Sequence, residues 1–499
     1  MIARLTEKTS FPVAIAAALL AGALSAFAMP PLGLFPVLFV TLPALLYLNS
    51  RAQGMRQAFL TGWAFGVGYF AVTLHWLSTA FQMFFDSYAA FRPLILVIIP
   101  CYIAAYYGLA CLLAWRWRGD KTSYVLIFSA ALFWAEYLRG DYLTHFPWST
   151  LGYAWHHVIS VLQVTSVAGI AGLTLLTILW STFLYAPARI KAALIISFFI
   201  VTGWGWQRLQ MPDSTLNYAV RLVQPNIPQM NKDNYGKEQE NVNTLLSLTR
   251  RETFMDESID AVIWPETALD IFTHAQTSRL KDIPAALPAG TTYAIFGVNR
   301  PGDLGKMHNS VISMDRNGTT IDTHDKFILA PWGESIPYPE IVKRTPLYRM
   351  VDESSVMAAG PGPRSVRLPG FPAFSPIICF ESTFSGKMTD PADRPDVLVF
   401  ITNDAWSFGT DGPQQHLGFA RVRAIEEGLP ILRAANTGLT SVIDSYGRIK
   451  EILPENTQGV IDAKIPEALP PTPFSAYKNL PAVLLSGILF LLGLIRKKI

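Results

Sequence analysis

A single cysteine, Cys379, stands within the apolar run SPIICFES at 375–382, and the other two, Cys101 and Cys111, lie far upstream in a stretch of membrane-like hydrophobicity. If the region around Cys379 faces an oxidising compartment, a thiol standing alone there has no internal disulfide partner, and its presence points to chemistry. That chemistry would be nucleophilic; the plainer reading is a buried cysteine that packs as a small hydrophobe. A free thiol with a pKa of about 8.5 is only a few per cent thiolate at neutral pH, so attack on an acyl carbon benefits from a neighbouring base. Glu266, just after Trp264, supplies a carboxylate for that role. Lys326, in HDKFILAPWGE (324–334), supplies an ammonium that would stabilise thiolate and developing oxyanion together. Taken singly, Glu266 also fits a helix cap and Lys326 an exposed lysine.

These three residues sit at the ends of short Val- and Ile-rich runs that read as central strands: YAVRLVQPNI (218–227), DAVIWPET (260–267), TYAIFGVNR (292–300), FSPIICFES (374–382) and DVLVFITND (396–404). HNSVISMDRNGTTID (308–322) and LTSVIDSYGRIKEIL (439–453) each place a turn sequence between two strand-like arms and predict hairpins. Helices are expected near 236–254 and 414–428. The order fits an α/β sandwich with reactive side chains at strand ends.

The rest of the chain is of a different kind. With 51% hydrophobic and 15% charged residues over 499 positions, it reads as a membrane protein carrying a sizeable polar domain. Apolar stretches long enough to cross a bilayer recur near 11–29, 32–48, 57–78, 93–115, 122–138, 159–186, 190–207 and 479–495, which predicts about eight transmembrane helices. The expected organisation is transmembrane helices over 1–207, an extramembrane catalytic domain over 208–478 and a last transmembrane helix with a basic tail over 479–499. Lysine and arginine alternate consistently between loops: Arg4, Lys8, Arg51, Arg56, Arg116, Arg118, Lys121, Arg189, Lys191, Arg496, Lys497 and Lys498 fall on one side, Arg92 and Arg139 on the other. The positive-inside rule then puts the polar domain on the trans side, the periplasm of a Gram-negative host. The net charge of +3 is thus a topology signal and does not point to nucleic acid. Arg4, Lys8 and Ala26-Phe27-Ala28 also fit a cleavable signal peptide, but a second span following at once favours an anchor.

Together, VQPNIPQ (223–229), WPET (264–267), KFILAPWGE (326–334), CFES (379–382), NDAW (403–406), the run Gly412 to Gly428 and RAANTG (433–438) resemble the nitrilase, or carbon–nitrogen hydrolase, superfamily. With EYLRGDYLTHFPWSTLGY (136–153) and the spans, the whole chain resembles that superfamily's membrane-anchored apolipoprotein N-acyltransferase branch. The resemblance implies an α-β-β-α sandwich in which Glu266 is the general base, Lys326 the charge-stabilising residue and Cys379 the nucleophile, supported by Glu334, Phe380 and Glu381. It implies a ping-pong transfer without cofactor or metal. A phospholipid, phosphatidylethanolamine by type, gives its acyl chain to the cysteine, which passes it to the α-amino group of a diacylglyceryl apolipoprotein at the bacterial inner membrane. Four positions depart from the family pattern: Phe380 replaces a tyrosine, Trp332 a phenylalanine, Asp233 a tryptophan for which Tyr235 is the nearest substitute, and Ser407 a phenylalanine.

Burying an acyl chain is worth about 0.8 kcal/mol per methylene, so the acyl donor stays with the bilayer unless the enzyme offers an equally apolar site there. The loops 79–91 and 345–357 and the positions Trp148, Trp332, Tyr348, Met350, Asn403 and Trp406 are the substrate-contact candidates; interfacial anchoring is the plainer role for the aromatic loops. Glu136 and Arg139, three apart near the end of a span, read as a structural ion pair or as snorkelling side chains, and His75 as a packing residue or part of a lipid entrance. Two other functions fit parts of the pattern. A tethered amidase would keep the three residues and let water resolve the acyl-enzyme, but gives no reason for many spans. A non-catalytic ligand-binding module on a transporter predicts charges deep in several spans, and few are present.

Overall fold

The computed structural model describes residues 10–84, 90–212, 214–232, 234–253, 255–270, 279–302, 305–345, 348 and 356–497. It divides into two compact units, one made of Met1–Gln82, Ala89–Met211 and Ala476–Ile499 and the other containing Pro212–Ser475.

The first unit is helical. Phe11–Ala28, Arg92–Arg116, Thr165–Leu184 and Ala188–Arg208 are long and apolar enough to cross a bilayer, and Met55–Thr73 with Leu77–Met83, bent by 58°, makes a fifth if the pair is one span. The sequence suggested about eight; by length and composition the described residues give four or five, because Phe35–Ser50 and Leu480–Arg496 are shorter apolar helices. Close helix crossing uses small residues, as expected where packing rather than the hydrophobic effect drives association. A Cβ on Gly68 would stand 2.0 Å from the Leu19 carbonyl oxygen. Glu136 and Arg139 form an internal ion pair of 3.1 Å with both side chains buried, so they do not snorkel. Arg139 also donates to the Phe146 carbonyl at 2.7 Å, and the Tyr107 hydroxyl donates to Glu136.

The second unit is built on two sheets. Strands β1 (Thr215–Gln224), β2 (Ala261–Ile263), β3 (Leu269–Asp270), β4 (Tyr293–Pro301), β5 (Met307–Asp315), β6 (Thr320–Asp325) and β12 (Gly459–Pro466) form a seven-stranded sheet in the order β12-β1-β2-β4-β5-β6, with β3 on β4. The five-stranded sheet runs β11 (Ile449–Ile452), β10 (Ser441–Ile443), β9 (Ile431–Ala435), β8 (Val397–Thr402), β7 (Phe374–Ile378). Side chains alternate across each strand, and that period of two sorts the core into layers. Val220, Leu222, Ile295, Phe374, Ile378, Val399 and Ile401 meet between the sheets. Ala219, Val223 and Phe296 face the other way, onto Leu245 and Leu248 of the helix Glu238–Thr249. Ile377, Leu398 and Phe400 pack on Leu417, Ala420 and Ala424 of the helix Gly412–Glu427. The result is helix, sheet, sheet, helix.

Both expected hairpins are present, β5–β6 and β10–β11. Gly318 at φ 83° and Gly447 at φ 76° supply the left-handed turn positions. β1, β2 and β4 run parallel in one sheet and β7, β8 and β9 in the other. Parallel strands bring their carboxyl ends to one edge, and in open α/β sheets that edge is where ligands bind.

Candidate active site

Glu266 follows β2 and is buried at 5% exposure. Its Oε1 accepts hydrogen bonds from Asn309 Nδ2 at 2.7 Å and Lys326 Nζ at 3.2 Å, and its Oε2 accepts one from the Asn403 backbone N–H at 2.8 Å. The backbone is crowded into place from behind: a Cβ on Gly297 of β4 would lie 2.6 Å from the Pro265 carbonyl oxygen and 2.7 Å from Glu266 Cα. Lys326, at the end of β6, is also buried and reaches a second carboxylate, Glu334 Oε1, at 2.8 Å. Glu334 is fixed by the Ala330 N–H at 2.8 Å and by Asn309 Nδ2 at 3.0 Å. Burial alone would lower the Lys326 pKa, but the charges of Glu266 and Glu334, with Cys379, raise it well above the ordinary lysine value. Lys326 is therefore a permanent cation between two carboxylates, neither an exposed lysine nor a proton donor.

Cys379 is the first residue after β7 and opens the turn Cys379–Thr383 with φ 49°. A left-handed conformation at a non-glycine residue costs about 1–3 kcal/mol and persists only where the surroundings over-determine it. Here they do. Glu381 Oε2 accepts from the Ile378 N–H at 2.7 Å just before the cysteine. The Cys379 carbonyl accepts from the Ser382 hydroxyl at 2.8 Å, and His416 Nε2 lies 3.1 Å from the same oxygen. Glu381 Oε1 takes the Phe327 and Ile328 N–H groups at 2.7 and 3.1 Å, so one carboxylate ties the lysine segment to the cysteine turn. Burial raises the Glu381 carboxyl to about 7, against those backbone bonds and the Lys326 charge. The Cys379 thiol is pushed well above its usual range, first by burial and then by the charge of Glu266, while Lys326 pulls it down. A neutral thiol at rest beside a carboxylate able to take its proton is the arrangement for base-assisted attack rather than a standing thiolate.

The motifs of the sequence interlock around this centre. Asn403 Nδ2 donates to Gln229 of VQPNIPQ at 2.8 Å, Asn436 Nδ2 of RAANTG donates to Asn403 Oδ1 at 2.9 Å, and Asn436 exchanges bonds with the Ile227 backbone at 2.7 and 3.0 Å. Glu266, Lys326, Glu334, Cys379, Phe380, Glu381 and Asn403 thus come together. Phe380 is buried with its ring edge-on to Phe384. Among the substrate-contact candidates, Asn403 is buried with its amide engaged, Trp332 is exposed, and Tyr348 and Trp406 are half-buried. Trp148 is buried in the helical unit against Trp76. Met350 and Asp233 lie outside the described residues.

Sequence reasoning missed four polar residues. Asn309 on β5 braces both carboxylates, and its signal was a run of buried polar positions, Asn309, Ser310 and Ser313, in a hairpin arm. Asp404, His416 and Thr402 are buried behind the cysteine. His416 Nδ1 lies 2.7 Å from Asp404 Oδ1, and Arg433 donates to Asp404 Oδ2 at 2.7 Å.

Residues 219–472 match the carbon–nitrogen hydrolase family model, and residues 21–183 match that of the apolipoprotein N-acyltransferase N-terminal domain. The apolipoprotein N-acyltransferase of Rhodopseudomonas palustris is 34% identical over 96% of this chain and 95% of its own length. That of Bradyrhizobium diazoefficiens is 33% identical over 96% and 94%. Among solved structures, an amidase from Nesterenkonia sp. AN1 aligns over 53% of this chain and 98% of its own, with TM-score 0.38 and 15% identity. Saccharomyces cerevisiae Nit3 aligns over 53% and 94%, with TM-score 0.36 and 16% identity.

Proposed function

The chain belongs to the apolipoprotein N-acyltransferase family, and on that premise we propose that it carries a phospholipid acyl chain as a Cys379 thioester to the α-amino group of the diacylglyceryl cysteine of an apolipoprotein. The observation that carries the assignment of roles is the convergence of Glu266 and Lys326 in direct contact, with the charges of both acting on the Cys379 thiol. In the first half-reaction the sulfur attacks the acyl ester carbon and its proton passes to Glu266. Lys326 stabilises the oxyanion, the ester C–O bond breaks, and Glu266 returns the proton to the departing lysophospholipid oxygen. In the second, the amine attacks the thioester, Glu266 accepts an amine proton, the C–S bond breaks and the proton goes back to sulfur. Lys326 keeps its charge throughout, and Glu334 supports it as second counter-charge.

The membrane arrangement belongs to the same reading. Eight spans, seven of them over 1–207 and the last over 479–499, anchor the catalytic domain 208–478 to the periplasmic face of the inner membrane, as the alternation of basic loops supports. Phosphatidylethanolamine is the expected donor, and Trp148, Trp332, Tyr348, Met350 and Trp406 are the residues to test for lipid contact. The deciding experiment incubates the full chain with acyl-labelled phosphatidylethanolamine and no acceptor. A hydroxylamine-sensitive label on the wild-type protein that is absent from Cys379→Ala is expected; release of the label only as free fatty acid at full turnover would favour a hydrolase.

A further inference from the structure

We propose that Thr402 is a catalytic residue of this reaction: its hydroxyl accepts the Cys379 S–H in the resting site and turns to donate to the sulfur as the thiolate forms. The inference rests on the reading that Cys379 carries the acyl group.

β7 and β8 run parallel with Ile378 paired to Ile401, so Cys379 and Thr402 leave the two strands side by side. Thr402 is buried, and its Oγ1 donates to Asp404 Oδ1 at 3.2 Å. That register sets the same hydroxyl beside the Cys379 thiol, and its influence there is to lower the thiol pKa, as a group able to hydrogen-bond the thiolate does. A hydroxyl has one hydrogen and two lone pairs, so while it donates to Asp404 it offers the sulfur a lone pair. That suits a thiol, which brings the hydrogen itself, and does not suit a thiolate. When the S–H proton passes to Glu266, rotation about the Thr402 Cβ–Oγ1 bond points the hydroxyl hydrogen at the sulfur.

The turn is inexpensive because Asp404 is not left bare. His416 Nδ1 remains 2.7 Å from Oδ1 and Arg433 Nη2 remains 2.7 Å from Oδ2. Burial would raise the Asp404 carboxyl, but Arg433 and then His416 hold it far below the usual carboxylate range, so it is an anion at every working pH. After burial and Glu266, its charge adds to what holds the thiol neutral. A Thr402 hydrogen directed at sulfur offsets that repulsion at the moment the charge develops. Once the C–S bond forms, the thioester sulfur is a weak acceptor and the hydroxyl returns to Asp404. No bond to Thr402 is made or broken.

The test uses the full-length protein in lipid, with Thr402→Val, Thr402→Ala and Thr402→Ser. The pH dependence of Cys379 alkylation by iodoacetamide, read on the Cys379 peptide by mass spectrometry, reports ionisation without any acyl chemistry. Single-turnover thioester formation from labelled phosphatidylethanolamine reports the reaction. Loss of the hydroxyl in Thr402→Val is expected to move the acid limb of alkylation up by about one pH unit and to slow acylation about tenfold, with the phospholipid KM unchanged. Thr402→Ser should keep both close to wild type, and Thr402→Ala carries the same expectation as Thr402→Val should the valine variant not fold. An unchanged profile and rate in the hydroxyl-free variants, or a serine variant as impaired as they are, overturns the assignment. Wild-type protein that forms no thioester on Cys379 would instead remove the reading beneath it.

Discussion

Replacing Glu266 by glutamine removes a negative charge and a proton acceptor while keeping the length of the side chain. The native Oε1 faces Asn309 Nδ2 and Lys326 Nζ at 2.7 and 3.2 Å, and Oε2 faces the Asn403 N–H at 2.8 Å. A glutamine oxygen can keep the first two donors, which leaves its NH2 group confronting the third. One buried N–H then lacks an acceptor, a cost of about 1–3 kcal/mol. A domain stable by about 5–15 kcal/mol absorbs that and stays folded. Catalysis has no such reserve, because general base assistance contributes about 10²–10⁴-fold, or about 3–5 kcal/mol of barrier. In the proposed mechanism Glu266 accepts a proton in each half-reaction, so both halves should slow by a factor in that range. The assay separates them: quenched-flow formation of labelled thioester without acceptor, then chase of preformed acyl-enzyme with a diacylglyceryl peptide. Thioester formation or transfer within threefold of wild type in a folded Glu266→Gln variant would show that another group takes the proton.

Gly297→Ala acts on the same carboxylate from behind, since the new methyl would meet Glu266 Cα at 2.7 Å. A stability loss of about 1–3 kcal/mol with a fall in acylation toward 10²-fold is expected from overpacking and misplacement of the base, and a wild-type rate would show that the strand gives way elsewhere. For Glu381, raised to about 7 by burial, the carboxylate that accepts three N–H groups is the form present above that pH. Acylation should therefore fall as pH drops through about 7, and Glu381→Gln should flatten that limb at a low rate; an unaltered limb in the variant would assign it to another group. His324 is buried with neither ring nitrogen hydrogen-bonded, and its pKa is lowered to about 4 by burial and Arg364. A depressed histidine contributes stability that is complete above the unfolded value of about 6.5 and lost as pH falls toward 4, about 3 kcal/mol in all. The difference in denaturation midpoint between wild type and His324→Gln should shrink with acid over that window, and a constant difference would refute the sign.

What could be read from the chain followed the strength of local signals. β8, VLVFIT, is an uninterrupted apolar run that ends at Thr402, close to the end the sequence marks, whereas β7, FSPII, stops at Ile378 because the chain turns at Cys379, so the apolar run 374–382 reads longer than the strand it holds. Hairpins β5–β6 and β10–β11 were legible because their turns demand left-handed glycine. Strand β12 was not: its burial alternates only over its first residues and then breaks at Asp462–Lys464, and it joins the sheet by pairing with β1, more than two hundred residues earlier. For the membrane spans, hydropathy marks apolar stretches but not where a helix ends or bends: among the described residues four helices, or five if the pair bent by 58° after Thr73 is one span, are long and apolar enough to cross, and Phe35–Ser50 and Leu480–Arg496 are apolar but shorter. Within the site, ionisable residue types announced Glu266, Lys326 and Cys379, whereas Asn309 and Thr402 are polar residues inside strands whose importance arises only from what the fold sets beside them.

One property of the site emerges only when its charges are added up in place. Two carboxylates, Glu266 and Glu334, share one ammonium, Lys326, so the resting cluster carries a single net negative charge with the thiol neutral. Moving the proton from Cys379 to Glu266 leaves that total unchanged, and the negative charge merely shifts from carboxylate to sulfur. In a buried site, where creating a charge is expensive, a step that relocates one avoids the desolvation penalty that otherwise makes such a thiol inert. Without Glu334 the same transfer would run at zero net charge, from a Glu266–Lys326 pair to a thiolate–Lys326 pair; with it the cluster is negative before and after. In the proposed mechanism the second glutamate therefore sets the net charge against which the thiolate forms, through its contact with Lys326 at 2.8 Å.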